Sequence, residues 1–370
     1  MDMMLFRACA ALFVLLVATP SAASGGPWHF AVSGDSRNCG NVVMPSIAAD
    51  ATAHAAAFYW HLGDLRAIYD FDEDYRALHV GATISDYLRD AWPDAQRNQL
   101  EAFGTTPVFV GIGNHETIPP KTREQFVSAF ADWLDAPALR AQRLKDDAHD
   151  HVLRTYFHWK WNGVDFISLD NATPDEFDAA QLAWLGRVLT ADEHDAGLVA
   201  VVVGMHEALP ESLARGHSMS DGPGAETSGL EVYARLLKLH QTKPVYVLAS
   251  HSHFVMNDVF DTPYWRDHGG VLPGWIISTG GAVRYVLPPE ASKAQFAKTR
   301  VYGYLLATVS PAAATRPAAT GPAAPGSAAA DRSDPIHFEF REVSEADVPA
   351  DVAGRYPADL LHSCYRENAK

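Results

Sequence analysis

Pro107-Val108-Phe109-Val110-Gly111-Ile112-Gly113-Asn114-His115-Glu116 runs from an apolar stretch straight into three polar side chains. Residues 107–112 predict a buried β-strand, and the glycines predict a tight exit from it. Three polar groups directly after a buried strand need partners. Four more apolar runs end in a similar way. Residues 29–33 precede Gly34-Asp35, and residues 57–62 precede Gly63-Asp64. Residues 198–203 precede Gly204-Met205-His206, and residues 244–249 precede Ser250-His251-Ser252-His253. Each motif alone is weak, since Gly-Asp after a strand is ordinarily a turn and a lone histidine is ordinarily structural.

Helical patterns fill the intervals, over residues 41–54, 85–103, 121–134 and 230–239. Another carries Leu182, Leu185 and Leu189 at helical spacing, with Trp184 and Val188 on the adjoining side. Asn162-Gly163, between apolar residues 156–161 and 164–169, predicts a β-hairpin. Residues 275–278 and 302–308 add strands. Strands alternating with helices predict an α/β fold with a parallel sheet covered by helices. In such sheets ligands gather beyond the carboxyl ends of the strands. The five loops are therefore expected to converge on one crevice.

The chain of 370 residues is 48% apolar and carries a formal charge of −16. That excludes a disordered chain and permits a large core. An acidic chain without a long basic run is also a poor partner for nucleic acid. Residues 1–23 carry Arg7, an apolar run over 8–18 and then Pro20-Ser21-Ala22-Ala23. They read as a secretory signal cut near Ala23 or Ser24. The run is too short to span a bilayer comfortably, and no later segment is apolar enough. A secreted or periplasmic protein is expected, with no stable membrane insertion after the signal is removed. Cys9 leaves with the signal, so Cys39 and Cys364 either pair or stand as two free thiols. Residues 27–310 form the main domain. Residues 311–335, dominated by Ala and Pro, predict a flexible loop. Residues 336–370 are expected to complete the same domain as a C-terminal strand and tail. Ile336-His337-Phe338-Glu339-Phe340 alternates apolar with polar, and its expected partner is the strand at 302–308.

The strand-end donors make chemical sense together. Asp35, Asp64, Asn114, His206, His251 and His253 are two carboxylates, an amide and three imidazoles. That mixed O/N set suits Zn, Mn, Fe or Co. Two ions about 3.5–4 Å apart can clamp a phosphate and sharpen a water into a nucleophile.

Gly63-Asp64, Gly113-Asn114-His115-Glu116, His206 and Ser250-His251-Ser252-His253 resemble the motifs of the calcineurin-like metallophosphoesterase superfamily, which includes purple acid phosphatases. The resemblance runs from about residue 30 to residue 308. It implies a two-sheet β-sandwich flanked by helices, a four-layer α/β/β/α arrangement. It implies two divalent or trivalent transition-metal ions, Fe, Zn or Mn. Asp64 matches the bridging carboxylate. Asp35 and His253 match ligands of the first metal, and Asn114, His206 and His251 match ligands of the second. His115 matches the residue that contacts phosphate and protonates the leaving group, with Asn114 beside it. Glu116 matches a residue that orients His115 or its loop. The implied activity is hydrolysis of a small phosphate ester by in-line attack of a metal-bound hydroxide. A phosphomonoesterase is the preferred reading. A phosphodiesterase acting on nucleotides or lipid head groups, and a non-catalytic binding protein, are the alternatives.

The chain departs from that pattern in three places. Asp-x-His is usual in the first motif, but position 37 is Arg37, which cannot be a ligand because it stays protonated. Arg37 can instead bind phosphate oxygens in a fork at the crevice mouth, or pair with Asp70 or a neighbour. A tyrosine is usual three residues after the second-motif aspartate, where this chain has Ala67, with Tyr69 two positions on. Ser250 stands where glycine is usual. Arg66 can also reach phosphate, or pair with Asp70 or a neighbour. Asp70, Asp72, Glu73 and Asp74 read as a solvated acidic loop. Tyr264 and Trp265 either stack on a substrate or pack in the core.

Overall fold

A computed structural model describes residues 26–214, 216–310 and 334–370. The signal reading of residues 1–23 and most of the expected 311–335 loop lie outside the described residues. Twelve strands are present among those described: β1 (Trp28–Ser33), β2 (Ala56–His61), β3 (Val108–Val110), β4 (Phe157–Trp161), β5 (Val164–Ser168), β6 (Ala200–Gly204), β7 (Val245–Ala249), β8 (Val255–Asn257), β9 (Gly274–Ile277), β10 (Ala297–Lys298), β11 (Tyr302–Val309) and β12 (Ile336–Val343).

They form two sheets, in the orders β12-β11-β1-β2-β3 and β10-β8-β9-β7-β6-β5-β4. Phe30, Phe58, Trp60 and Phe109 of the first sheet pack on Trp159, Phe166, Val202 and Leu248 of the second. Helices Ala179–His194 and Pro223–His240 cover the outer face of the second sheet. Helix Gly40–Ala53 covers the first through Val43, Met44 and Ile47. This is the expected α/β/β/α sandwich. The runs β1-β2-β3 and β9-β7-β6-β5 are parallel, as the strand–helix alternation predicts. Antiparallel strands β11 and β12 close one side of the first sheet, while β4 closes one side of the second and β8 with β10 the other; β3 ends the first sheet as a parallel edge. Central strands such as β5 and β7 are buried along their whole length, which explains their unbroken apolar character.

Local signals set several boundaries. Asn162 and Gly163 both have positive φ, 44° and 82°, as a tight hairpin between β4 and β5 needs. Thr83 caps helix Ile84–Ala95 in a reciprocal box with Asp86. The helix expected over 85–103 is interrupted. Residues Gln96–Leu100 form a π-turn that brings Gln99 inward to accept a hydrogen bond from Ser36 Oγ at 2.6 Å. The helix expected over 121–134 breaks at Phe130, whose φ is −106°. Strands β8 and β10, three and two residues long, are too short to show a sequence pattern. β12 pairs with β11 from Ile336–Val309 to Val343–Tyr302, the expected hairpin. Cys39 and Cys364 form a disulfide across 325 residues. No helix among the described residues is long and apolar enough to cross a membrane.

The acidic loop differs from expectation. Asp72 and Asp74 are fully buried, and Asp74 accepts from Arg66 Nη1 at 2.8 Å. Arg66 also contacts Asp94, and Asn41 Oδ1 accepts from it. The residues between β2 and helix Glu73–Leu78 thus fold inward around a buried guanidinium, so Arg66 pairs with Asp74 and Asp94 rather than with Asp70 or a phosphate. Trp265 stacks on Tyr233 with ring centroids 3.4 Å apart, so it is a core residue.

Candidate metal centre

The carboxyl ends of β1, β2, β3, β6 and β7 meet where the two sheets face each other. Asp64 Oδ1 lies 3.4 Å from His206 Nε2. His206 Nε2 lies 3.0 Å from Asn114 Oδ1 and 3.1 Å from His251 Nδ1. Donor atoms of Asp64, His206 and His251 all fall within 4.8 Å of one another. On the other side of Asp64, His253 Nε2 lies 3.3 Å from Asp35 Oδ1. Residues from five loops spread over more than two hundred positions are therefore neighbours.

The backbone is shaped for this approach. Asp35, Asp64, His251 and His253 all have positive φ, 57°, 62°, 67° and 56°. That region is uncommon for residues with a side chain, and such strain clusters at functional sites. Gly113 leaves room for them: a Cβ there would sit 2.6 Å from Asp64 N and 2.9 Å from His206 Cε1. Glu116 ties the two loops together. Its carboxylate accepts the backbone N–H groups of Asp64 (2.8 Å), Leu65 (2.9 Å) and Gly113 (2.8 Å). Glu116 therefore braces the Asp64 loop and the strand β3 exit.

Second contacts fix each ring. His206 Nδ1–H donates to Leu62 O at 3.0 Å, which turns Nε2 toward the cluster. Glu207 Oε1 lies 3.5 Å from His251 Nε2, which leaves Nδ1 facing inward. The backbone of this segment is held by Asn171, whose Oδ1 accepts the main-chain N–H groups of His206 and Glu207 at 3.1 Å each. His115 Nδ1–H donates to Ala67 O at 2.6 Å and its Nε2 lies 3.6 Å from Asp64 Oδ2. Asp35 Oδ2 accepts from Ser278 Oγ at 2.6 Å, from His251 N–H at 2.7 Å and from Ser250 Oγ. The serine at position 250 is thus used to hold Asp35.

Electrostatics favour ligands that are charged or neutral as metal binding needs. Burial opposes the charge on Asp64, but His115 and His206 outweigh it and hold the carboxyl far below its usual range. Burial, reinforced by His206, lowers His251 to about 3. Burial also lowers His115 and His253. His206 is the exception. Burial would lower it too, but Asp64 and Asp35 raise it to about 10, so a metal ion at Nε2 displaces a proton. Two buried carboxylate oxygens, Asp35 Oδ1 and Asp64 Oδ2, have no hydrogen-bond partner. Orphaned buried oxygens, two neutral imidazoles and an amide oxygen fit a cation.

Arg37 sits inside the centre, 6% exposed, not at its mouth. Tyr69, Tyr285 and His217 are neighbours that no strand-end motif marks. Tyr69 OH accepts from Arg37 Nη1 at 3.2 Å. Tyr285 stacks on His253 at 4.1 Å, and His217 packs against His251 at 5.3 Å. Tyr285 and His217 line a cavity of about 420 Å³ with Phe254, Val286 and Leu287. A larger cavity of about 820 Å³ lies between helix Pro137–Asp146 and helix Ala179–His194, and none of the six donors lines it.

No family model matches the chain, and no curated protein sequence matches it. Solved structures do. A purple acid phosphatase, PPD1, from yellow lupin (Lupinus luteus) seeds aligns with a TM-score of 0.53 at 14% identity, over 78% of this chain and 50% of that one. PhoD aligns at 0.47 and 16%, over 78% and 65%. A putative 5'-nucleotidase from Staphylococcus aureus aligns at 0.43 and 14%, over 91% and 58%. The chain thus spans half to under two thirds of the length of these structures. The fold is that of the calcineurin-like metallophosphoesterases, of which the lupin enzyme is an example.

Proposed function

We propose that the chain is a secreted or periplasmic, metal-dependent phosphoesterase acting on a small phosphate monoester. The observation that carries this is the convergence of Asp64, Asn114, His206 and His251 donor atoms within hydrogen-bonding reach of one another. Those four residues would hold a transition-metal ion. When bound, such an ion polarises a phosphoryl oxygen and makes water a stronger nucleophile near neutral pH. Asp35 and His253 are the further candidate ligands on the other side of Asp64.

The remaining residues position and neutralise. Arg37 offers guanidinium N–H groups to a phosphoryl oxygen, and the Asn114 side chain lies beside the same space. The His115 ring is fixed by its bond to Ala67 O, so Nε2 faces that space. Protonated there, it hands a proton to the departing alkoxide. Burial lowers His115, so that role belongs to acid pH. The cavity lined by Phe254, Tyr285 and Val286 takes the organic half of the ester. Secretion is supported by the reading of residues 1–23 and by the Cys39–Cys364 disulfide, which suits an oxidising compartment. The net charge of −16 argues against nucleic acid as a partner.

The test compares p-nitrophenyl phosphate with its bis ester on zinc-, manganese- and iron-loaded protein. Faster turnover of the monoester is expected. Turnover of the diester alone moves the reading to a phosphodiesterase, and turnover of neither moves it to a non-catalytic binding protein.

A further inference from the structure

Building on the phosphoesterase reading, we propose that this centre binds one transition-metal ion and that the Arg37 guanidinium permanently occupies the place of the other. The donors left for another ion are Asp35, His253 and the second oxygen of Asp64, and Arg37 already engages two of them. His253 Nδ1–H donates to Val283 O at 2.6 Å, so Nε2 carries the only ring lone pair. That lone pair accepts from Arg37 Nη2 at 2.8 Å. Arg37 Nε, which has no hydrogen-bond partner, lies 3.7 Å from Asp64 Oδ2, which has none either. Nη1 is held by Tyr69 OH. Asp35 gives one oxygen to Ser250, Ser278 and His251 N–H, leaving Oδ1 to face this group.

The guanidinium therefore fills the space between Asp35, Asp64 and His253 with one positive charge. It offers no lone pair, so it cannot share the space as a ligand. A cation entering there meets both a consumed imidazole and a like charge. The opposite side of Asp64 has no such competitor: Asp64 Oδ1, Asn114 Oδ1, His206 Nε2 and His251 Nδ1 face one another. Arg37 then does by hydrogen bonding what a second ion would do by coordination. The bonds to Tyr69 and His253 use one N–H each of Nη1 and Nη2, so the second N–H on those nitrogens is the donor offered to a phosphoryl oxygen.

The experiment strips the purified full-length mature protein with a chelator, reloads it with Zn²⁺, desalts it and counts zinc per chain. Close to one is expected for the wild type and close to two for Arg37→His. Calorimetric titration with inorganic phosphate then compares the wild type with Arg37→Gln. The variant is expected to keep one zinc and to bind phosphate about tenfold more weakly. Two zinc ions in the wild type overturn the proposal and leave the phosphoesterase reading intact, whereas none overturns both. Unchanged phosphate affinity in Arg37→Gln removes the arginine from anion binding and overturns its role. Should Arg37→His fail to fold, the wild-type count decides alone.

Discussion

Two buried charge clusters sit side by side, one around Arg66 and one around Asp64, and they are completed in different ways. Arg66 is matched by Asp74 at 2.8 Å, by Asp94 and by Asp72 at 3.5 Å. Burial, with Asp72 and Asp94 adding to it against Arg66, raises Asp74 to about 7. The cluster thus pairs its guanidinium with carboxylates of its own, and only Arg66 Nε is left without a hydrogen-bond partner. Asp72 and Asp74 also accept the backbone N–H groups of Asn38 and Asn41, at 2.5 Å and 2.7 Å. The Asp64 cluster is different. It leaves two carboxylate oxygens without donors and turns imidazole nitrogens toward one another. A buried charge that is satisfied locally reads as architecture, and one that is left open reads as a site.

Substitutions should separate the two. Asp64→Asn should lower turnover of p-nitrophenyl phosphate about 10³-fold while the melting temperature moves little, because the side chain keeps its shape. Unchanged turnover would take Asp64 out of the mechanism. Arg66→Met should do the reverse. It leaves Asp74 and Asp94 buried without their cation, at a cost of about 3–5 kcal/mol in urea unfolding, with the zinc count of the folded fraction unchanged. A loss under about 1 kcal/mol would show that the Arg66 cluster is not held as described.

His115 tests the open cluster more finely. His115→Asn should lower kcat about 10²-fold. In the wild type, kcat should fall as pH rises through a value below the ordinary histidine value of 6.5, because the proton is needed and burial lowers its pKa. That limb should vanish in the variant, and a limb that persists would assign it to another group.

His158 extends the closed class to a third cluster. Its Nε2 lies 2.5 Å from Asp146 Oδ2 and its Nδ1 lies 2.8 Å from Asp165 Oδ2. Burial would lower it, but hydrogen bonds to those carboxylates raise it from 6.5 to about 9. Because the folded value is the higher one, the stabilisation is whole below pH 6.5 and is lost as pH rises through 9. The expected loss is about 2–3 kcal/mol between those limits, read by urea unfolding at fixed metal content. His158→Gln should flatten that slope.

The centre was legible in the sequence because each donor follows an apolar strand through a glycine or serine exit. Sheet geometry then gathers strand ends that the chain keeps far apart, as with Asp64 and His251. The Arg66 cluster was not legible. Asp70, Asp72, Glu73 and Asp74 look alike as letters, and only the path of the chain around Arg66 turns two of them inward. Arg37 was visible as a departure from Asp-x-His, but its depth was not, since burial depends on Tyr69 and His253 reaching it from other loops. Tyr285 and His217 carry no local pattern, and their place beside the imidazoles follows from loop packing alone. The short strands β8 and β10 fall below the length at which alternation can be read.

The covalent bond between Cys39 and Cys364 makes almost the whole described chain one closed ring. A single proteolytic cut anywhere between positions 40 and 363 therefore opens the ring without dividing the molecule, and the two pieces part only when a thiol reagent is added. In the chain-entropy account a ring of this size restricts the denatured chain by roughly 5–6 kcal/mol. The fastening lies two positions beyond Arg37, so the segment that carries the buried guanidinium is anchored to the tail of the protein by a bond that a reducing environment can release.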